Sequence, residues 1–108
     1  VKDIRHKIYQ FDGWTIDYDF LTCEKEGKTV SLKLREMEVL ILLLTRRMLY
    51  RDELIIAAWG RADVTNHSLT VTISELRRKL KTKSIKVINQ RGYYVDQRLL
   101  IEEKPIEG

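Results

Sequence analysis

Seven cationic side chains lie between Arg77 and Arg91: Arg77, Arg78, Lys79, Lys81, Lys83, Lys86 and Arg91. No carboxylate interrupts them. Guanidinium and ammonium groups at this density do electrostatic chemistry. They neutralise phosphates, and arginine also donates in pairs to a planar acceptor edge. The rest of the 108-residue chain holds 13 of the 20 Lys and Arg and all 16 Asp and Glu. The formal net charge of +4 is therefore an average over a basic segment and a mildly acidic body. The blander account of such a run is a solvated helix face. The missing counter-acids weigh against it.

Other chemistries find little support. His6 and His67 are far apart, the single cysteine excludes a Cys/His cluster with zinc spacing, and there is no glycine-rich phosphate loop or nucleophile elbow. Asp12, Asp17 and Asp19 suit turns and strand ends, and Glu36, Glu38, Asp52 and Glu53 suit helix starts and surface. An enzyme is not expected, and no metal or cofactor is implied. Cys23 cannot form an intrachain disulfide, which fits a reducing compartment, and its place beside Leu21 in an alternating stretch marks it as a small buried apolar residue. The longest apolar run, Val39 to Leu44, is too short to cross a bilayer, and no leader opens the chain. The opening Val1 and the tail from Glu102 to Gly108 read as a piece cut from a longer protein.

The elements that must position the basic segment follow from periodicity. The length suits one domain. Residues 1–6 read as a loose lead-in, 7–100 as the domain and 101–108 as a linker-like tail. Within 7–32 the pattern has period two, broken by Asp12-Gly13 and Glu26-Gly27-Lys28, which predicts a small antiparallel sheet. Within 33–81 it is helical. Leu34, Met37, Leu40, Ile41 and Leu44 form the stripe of a central first helix. Thr45 to Tyr50 breaks the pattern. Arg51 to Trp59 is a second helix, stopped by Gly60. Thr65 or Asn66 can cap a third helix from about His67 to Lys81, with Leu69, Ile73, Leu76 and Leu80 inward. Within 84–96, two strands around Asn89-Gln90-Arg91-Gly92 predict a hairpin. The fold class is α+β, and a sheet, three helices and a terminal hairpin have the order of a winged helix-turn-helix.

At about 100° per residue the third helix turns His67, Val71, Ser74, Glu75 and Arg78 away from its core side. Ser68, Thr70, Thr72, Arg77, Lys79 and Lys81 flank that face, and Lys83 and Lys86 follow it. A mixed centre with cationic edges suits a major groove, where edge groups bind phosphates and central groups reach base edges. Val71 can meet a thymine methyl, Arg78 or His67 can donate to guanine, and Glu75 can accept from cytosine. At the hairpin tip, Gln90 and Arg91 can enter the minor groove or touch the backbone. The rival is a winged helix used only for protein–protein contact, which Glu75 slightly favours and the acid-free block disfavours.

Five segments in order carry a resemblance: Leu49-Tyr50-Arg51-Asp52-Glu53-Leu54, Trp59-Gly60, Val64-Thr65-Asn66-His67, Ile73-Ser74-Glu75-Leu76-Arg77-Arg78-Lys79-Leu80 and Arg91-Gly92-Tyr93. Together the chain from roughly Tyr9 to Val95 resembles the OmpR/PhoB-type winged-helix DNA-binding domain, and within it the ToxR/CadC subgroup of bacterial transcriptional regulators. The resemblance implies a four-stranded N-terminal sheet, three helices and a wing. It implies a recognition helix around Val71, Ser74, Glu75, Arg77 and Arg78, with Arg91 in the wing. The implied partners are double-stranded promoter DNA, further copies of the chain on that DNA, and RNA polymerase. The subgroup further implies a cytoplasmic domain joined to a membrane span and a periplasmic sensor outside this chain. Two departures stand out. Tyr50 replaces the usual Ser or Thr ahead of the second helix, and the connection from the first helix to the second is shorter than usual.

Overall fold

The structure is a computed structural model that describes residues 5–46, 48–61, 63–89, 91–95 and 100–105. Four short strands open it: β1 (Arg5–Phe11), β2 (Trp14–Asp17), β3 (Thr22–Lys25) and β4 (Lys28–Ser31). Asp12 and Gly13, and again Glu26 and Gly27, take positive φ, the pair of left-handed residues that closes a two-residue hairpin with the right twist. Register then aligns Tyr9, Ile16, Cys23 and Val30 across the four strands, with Phe11 opposite Trp14. This row is one wall of the core.

Cys23 sits in that wall with no exposed surface, and burial pushes its thiol up to about 12. Thiolate is the reactive form. The native protein should therefore resist iodoacetamide at pH 8 and become labelled only when unfolded in denaturant. Rapid native labelling, followed by mass spectrometry, would contradict this burial.

Helix α1 (Leu34–Arg46) is the central element, burying Met37, Val39, Leu40, Leu43 and Leu44. Leu34 belongs to the expected stripe but is exposed, because it begins the helix beyond the reach of the core. Only residue 47 separates α1 from β5 (Met48–Tyr50), a strand that replaces the expected break. β5 pairs antiparallel with β7 (Gly92–Val95), which also pairs with β6 (Ile85–Ile88). The wing is thus a three-stranded sheet of order β5-β7-β6.

Helix α2 (Arg51–Trp59) follows β5 without a gap. Tyr50 makes no side-chain cap. Its backbone N–H instead donates to Glu53 Oε1 at 2.9 Å, and the Arg51 N–H donates to the Arg91 carbonyl at 2.9 Å. The wing turn therefore satisfies an orphan donor of α2.

Helix α3 (Asn66–Leu80) is capped by Thr65, whose hydroxyl accepts from the Ser68 N–H at 3.3 Å. Leu69, Ile73, Leu76 and Leu80 are buried, as their spacing predicts. At the far end the Trp14 indole N–H donates to the Leu80 carbonyl at 2.9 Å, tying α3 to the sheet.

One difference concerns the tail. Leu100–Pro105 forms β8, which pairs antiparallel along β1 and makes the sheet five-stranded, in the order β4-β3-β2-β1-β8. The charged composition reads as linker, yet the open edge of β1 offers backbone partners that require no apolar alternation. Strand β1 likewise begins at Arg5, inside the expected lead-in.

Candidate nucleic-acid interface

The five residues expected to read bases all lie on α3. His67, Ser74 and Arg78 are exposed, Val71 is 46% exposed, and Glu75 is half-buried. A branched apolar side chain left this open on a helix with a clean core stripe is unused by the fold. Two of the expected readers are joined. Arg78 donates from Nε to Glu75 Oε2 at 2.7 Å and from Nη2 to Glu75 Oε1 at 2.9 Å, a two-bond fork. That hydrogen bonding, together with the charges of Arg78, Lys79 and Lys33, holds the Glu75 carboxyl below the usual carboxylate range. It raises the Arg78 guanidinium in turn.

The flanking residues divide into two groups. Thr70 is exposed while its hydroxyl bonds the Asn66 carbonyl, and the half-buried Thr72 bonds the Ser68 carbonyl. Ser68 is half-buried within the helix cap. Lys83 and Lys86 are exposed beyond the helix. Arg77 and Lys79, expected at phosphates, are engaged inside the fold instead. Arg77 donates from Nε and Nη2 to the Ile85 carbonyl at 2.9 and 2.7 Å, clamping the end of α3 to β6. Lys79 donates to the buried Glu36 at 2.7 Å. Both turn toward neighbouring elements because they flank the core stripe closely enough to reach them. Lys81 is exposed, but it ends α3 in a left-handed conformation and lines a cleft against the N-terminal sheet with Trp14, Lys25, Lys28 and Lys79. The acid-free run is therefore not one surface.

At the wing, Arg91 is exposed, and its N–H donates to the Ile88 carbonyl at 2.9 Å to close the turn. Gln90 lies outside the described residues. Arg91 borders one shallow hollow with Tyr50, Arg51, Asp52 and Asn66. Sequence reading missed Tyr50, Arg51 and Asn66 as members of this surface. Tyr50 is largely exposed, and Arg51 has a buried Nε with no hydrogen-bond partner among the described residues. Their approach to Arg91 depends on the β5–β7 pairing, which three residues are too short to announce. Among the described residues, no group of three His, Cys, Asp or Glu is placed to hold a metal ion. No helix among them is long and apolar enough to cross a membrane.

Residues 27–95 match the family described as "Transcriptional regulatory protein, C terminal". The chain is 33% identical over 98 residues to the transcriptional activator CadC of Escherichia coli K12, covering 83% of this chain and 19% of that protein. It is 38% identical over 90 residues to the response regulator protein GraR of Staphylococcus epidermidis, covering 71% of this chain and 40% of that one. Thus it spans less than half the length of these relatives. Among solved structures it is similar to the DNA-binding domain of E. coli CadC. The TM-score is 0.81 at 28% identity, over 90% of this chain and 98% of that domain.

Proposed function

Because the chain belongs to the OmpR/PhoB-type family of transcriptional regulatory C-terminal domains, we propose that it binds duplex promoter DNA with α3 in the major groove. The observation that carries this is the exposed α3 face of His67, Val71, Ser74 and Arg78, which has polar, cationic and methyl-bearing groups but no role in the core. Each matches a class of base-edge feature in that groove. The wing turn then brings Arg91 to the adjacent minor groove or backbone. The hollow lined by Tyr50, Arg51, Asp52, Asn66 and Arg91 offers guanidinium and amide donors for a backbone phosphate, beside the single carboxylate of Asp52. Ser68, Thr70, Thr72, Lys83 and Lys86 border the same surface as further phosphate contacts. Lys81 serves only if the strand passes beyond the helix end. The wider reading is a cytoplasmic regulator that self-associates on DNA, contacts RNA polymerase, and joins a membrane-spanning sensor outside this chain.

The test is a titration of duplex DNA at several salt concentrations. Affinity should fall steeply, with a log–log slope of about −0.9 per phosphate neutralised. Absence of binding at low salt would overturn the reading. The roles separate by mutation. Arg78→Ala should cost roughly tenfold to a hundredfold on a selected sequence and little on random duplex. Lys83→Ala should weaken both alike. Equal losses from Arg78→Ala on selected and random duplex would remove it as a base reader.

A further inference from the structure

The fork between Glu75 and Arg78 deepens the groove reading, on which it rests. We propose that the two side chains act as one specificity unit that reads a G·C pair and penalises non-specific contact. An arginine has five N–H donors. The fork occupies the Nε–H and one Nη2–H. The Nη1 and remaining Nη2 donors lie along the end of the guanidinium, away from the carboxylate. That end is an edge able to pair with guanine O6 and N7. Arg78 can therefore keep Glu75 while it binds guanine. The fork favours this orientation before binding, so less side-chain entropy is lost on complex formation.

Glu75 has free lone pairs of its own, and its half-buried carboxylate lies beside an Arg78 side chain that is 67% exposed. A cytosine N4 amine is a donor for those lone pairs, whereas a phosphate is a like charge. The pair thus favours one base pair while reducing attraction to the backbone in any other register, a repulsive element of specificity. Taken one at a time, the residues give an arginine that can donate to guanine and an acid that can accept from cytosine. The two-bond fork couples them into one reader.

The experiment is selection from a random duplex library with the whole chain, comparing wild type, Glu75→Gln, Glu75→Asp and Arg78→Ala. Each variant is also titrated against unselected random duplex at two salt concentrations. Glu75→Gln should bind random duplex roughly threefold to tenfold tighter and steepen its salt slope by about one phosphate contact. It should also lose the G·C preference at the same position that Arg78→Ala loses. Glu75→Asp keeps the charge but not the reach, so it should lose the preference without the gain on random duplex. A wild type that enriches no sequence overturns the groove reading and this unit with it. A wild-type motif that Glu75→Gln leaves unchanged, or changes at a different position from Arg78→Ala, overturns the unit alone.

Discussion

Replacing Lys79 with alanine is expected to cost about 3 kcal/mol of stability, the lower end of the range for breaking a buried ion pair from one side. Lys79 Nζ lies 2.7 Å from Glu36 Oε1, with the two side chains 18% and 5% exposed. The same carboxylate oxygen accepts the Lys33 N–H at 2.9 Å, just ahead of α1. Glu36 therefore joins the start of α1 to the second half of α3, and this contact holds the reading face against the central helix. Without Lys79 the carboxylate is buried with one neutral donor. The backbone donor and the small remaining solvent access keep the cost below the upper limit. For a domain this size the melting temperature should fall by more than about 10 °C. Glu36→Gln combined with Lys79→Met removes both charges and should recover more than half of the loss, because no unpaired charge remains. Thermal and urea unfolding measure both variants. A Lys79→Ala protein within about 1 kcal/mol of wild type would show that the pair does not hold α3 in place.

The second large effect is expected at Gly92, where β7 pairs with β5. A Cβ built there lies 2.5 Å from the Leu49 carbonyl oxygen, 3.0 Å from Tyr50 Cα and 3.1 Å from the Leu49 carbonyl carbon. All three are backbone atoms, so no side chain can swing aside. Gly92→Ala must open the β5–β7 ladder, at about 3 kcal/mol, near the top of the usual overpacking range. The damage should be directional. Gly92 opposes Tyr50, and the adjacent Arg91 carbonyl holds the Arg51 N–H. The wing should therefore loosen from α2 while the N-terminal sheet stays protected. Hydrogen exchange at Met48, Tyr50 and Arg51 should accelerate before that at Ile16 and Cys23. DNA affinity should fall further than the stability loss alone accounts for, because Arg91 is released. Uniform acceleration across both sheets would contradict a local clash.

Much of this architecture is legible in the residues. Leu69, Ile73, Leu76 and Leu80 repeat at helical spacing, and the structure buries all four. Asp12-Gly13 and Glu26-Gly27 announce their turns because left-handed backbone selects for such pairs. β5 and β8 are not legible, since both are held by backbone pairing with β7 and β1, and backbone hydrogen bonds leave little trace in side-chain pattern. The candidate face is legible in part for a similar reason. A wheel places Val71, Ser74, Glu75 and Arg78 outward, and all are exposed except the half-buried Glu75. It does not show that Arg77 reaches the Ile85 carbonyl or that Lys79 meets Glu36, because both partners come from elements distant in sequence. Charge counted along the chain therefore overstates the charge on the interface.

The antiparallel register of β1 and β8 sets Arg5 opposite Pro105. Paired residues in such a ladder stand about 5 Å apart. The first and last described strands thus bring residues 5 and 105 side by side at one corner. A unit built this way can be spliced into a surface loop of a host protein with almost no separation to bridge. The strand that composition presents as a tether makes the domain portable.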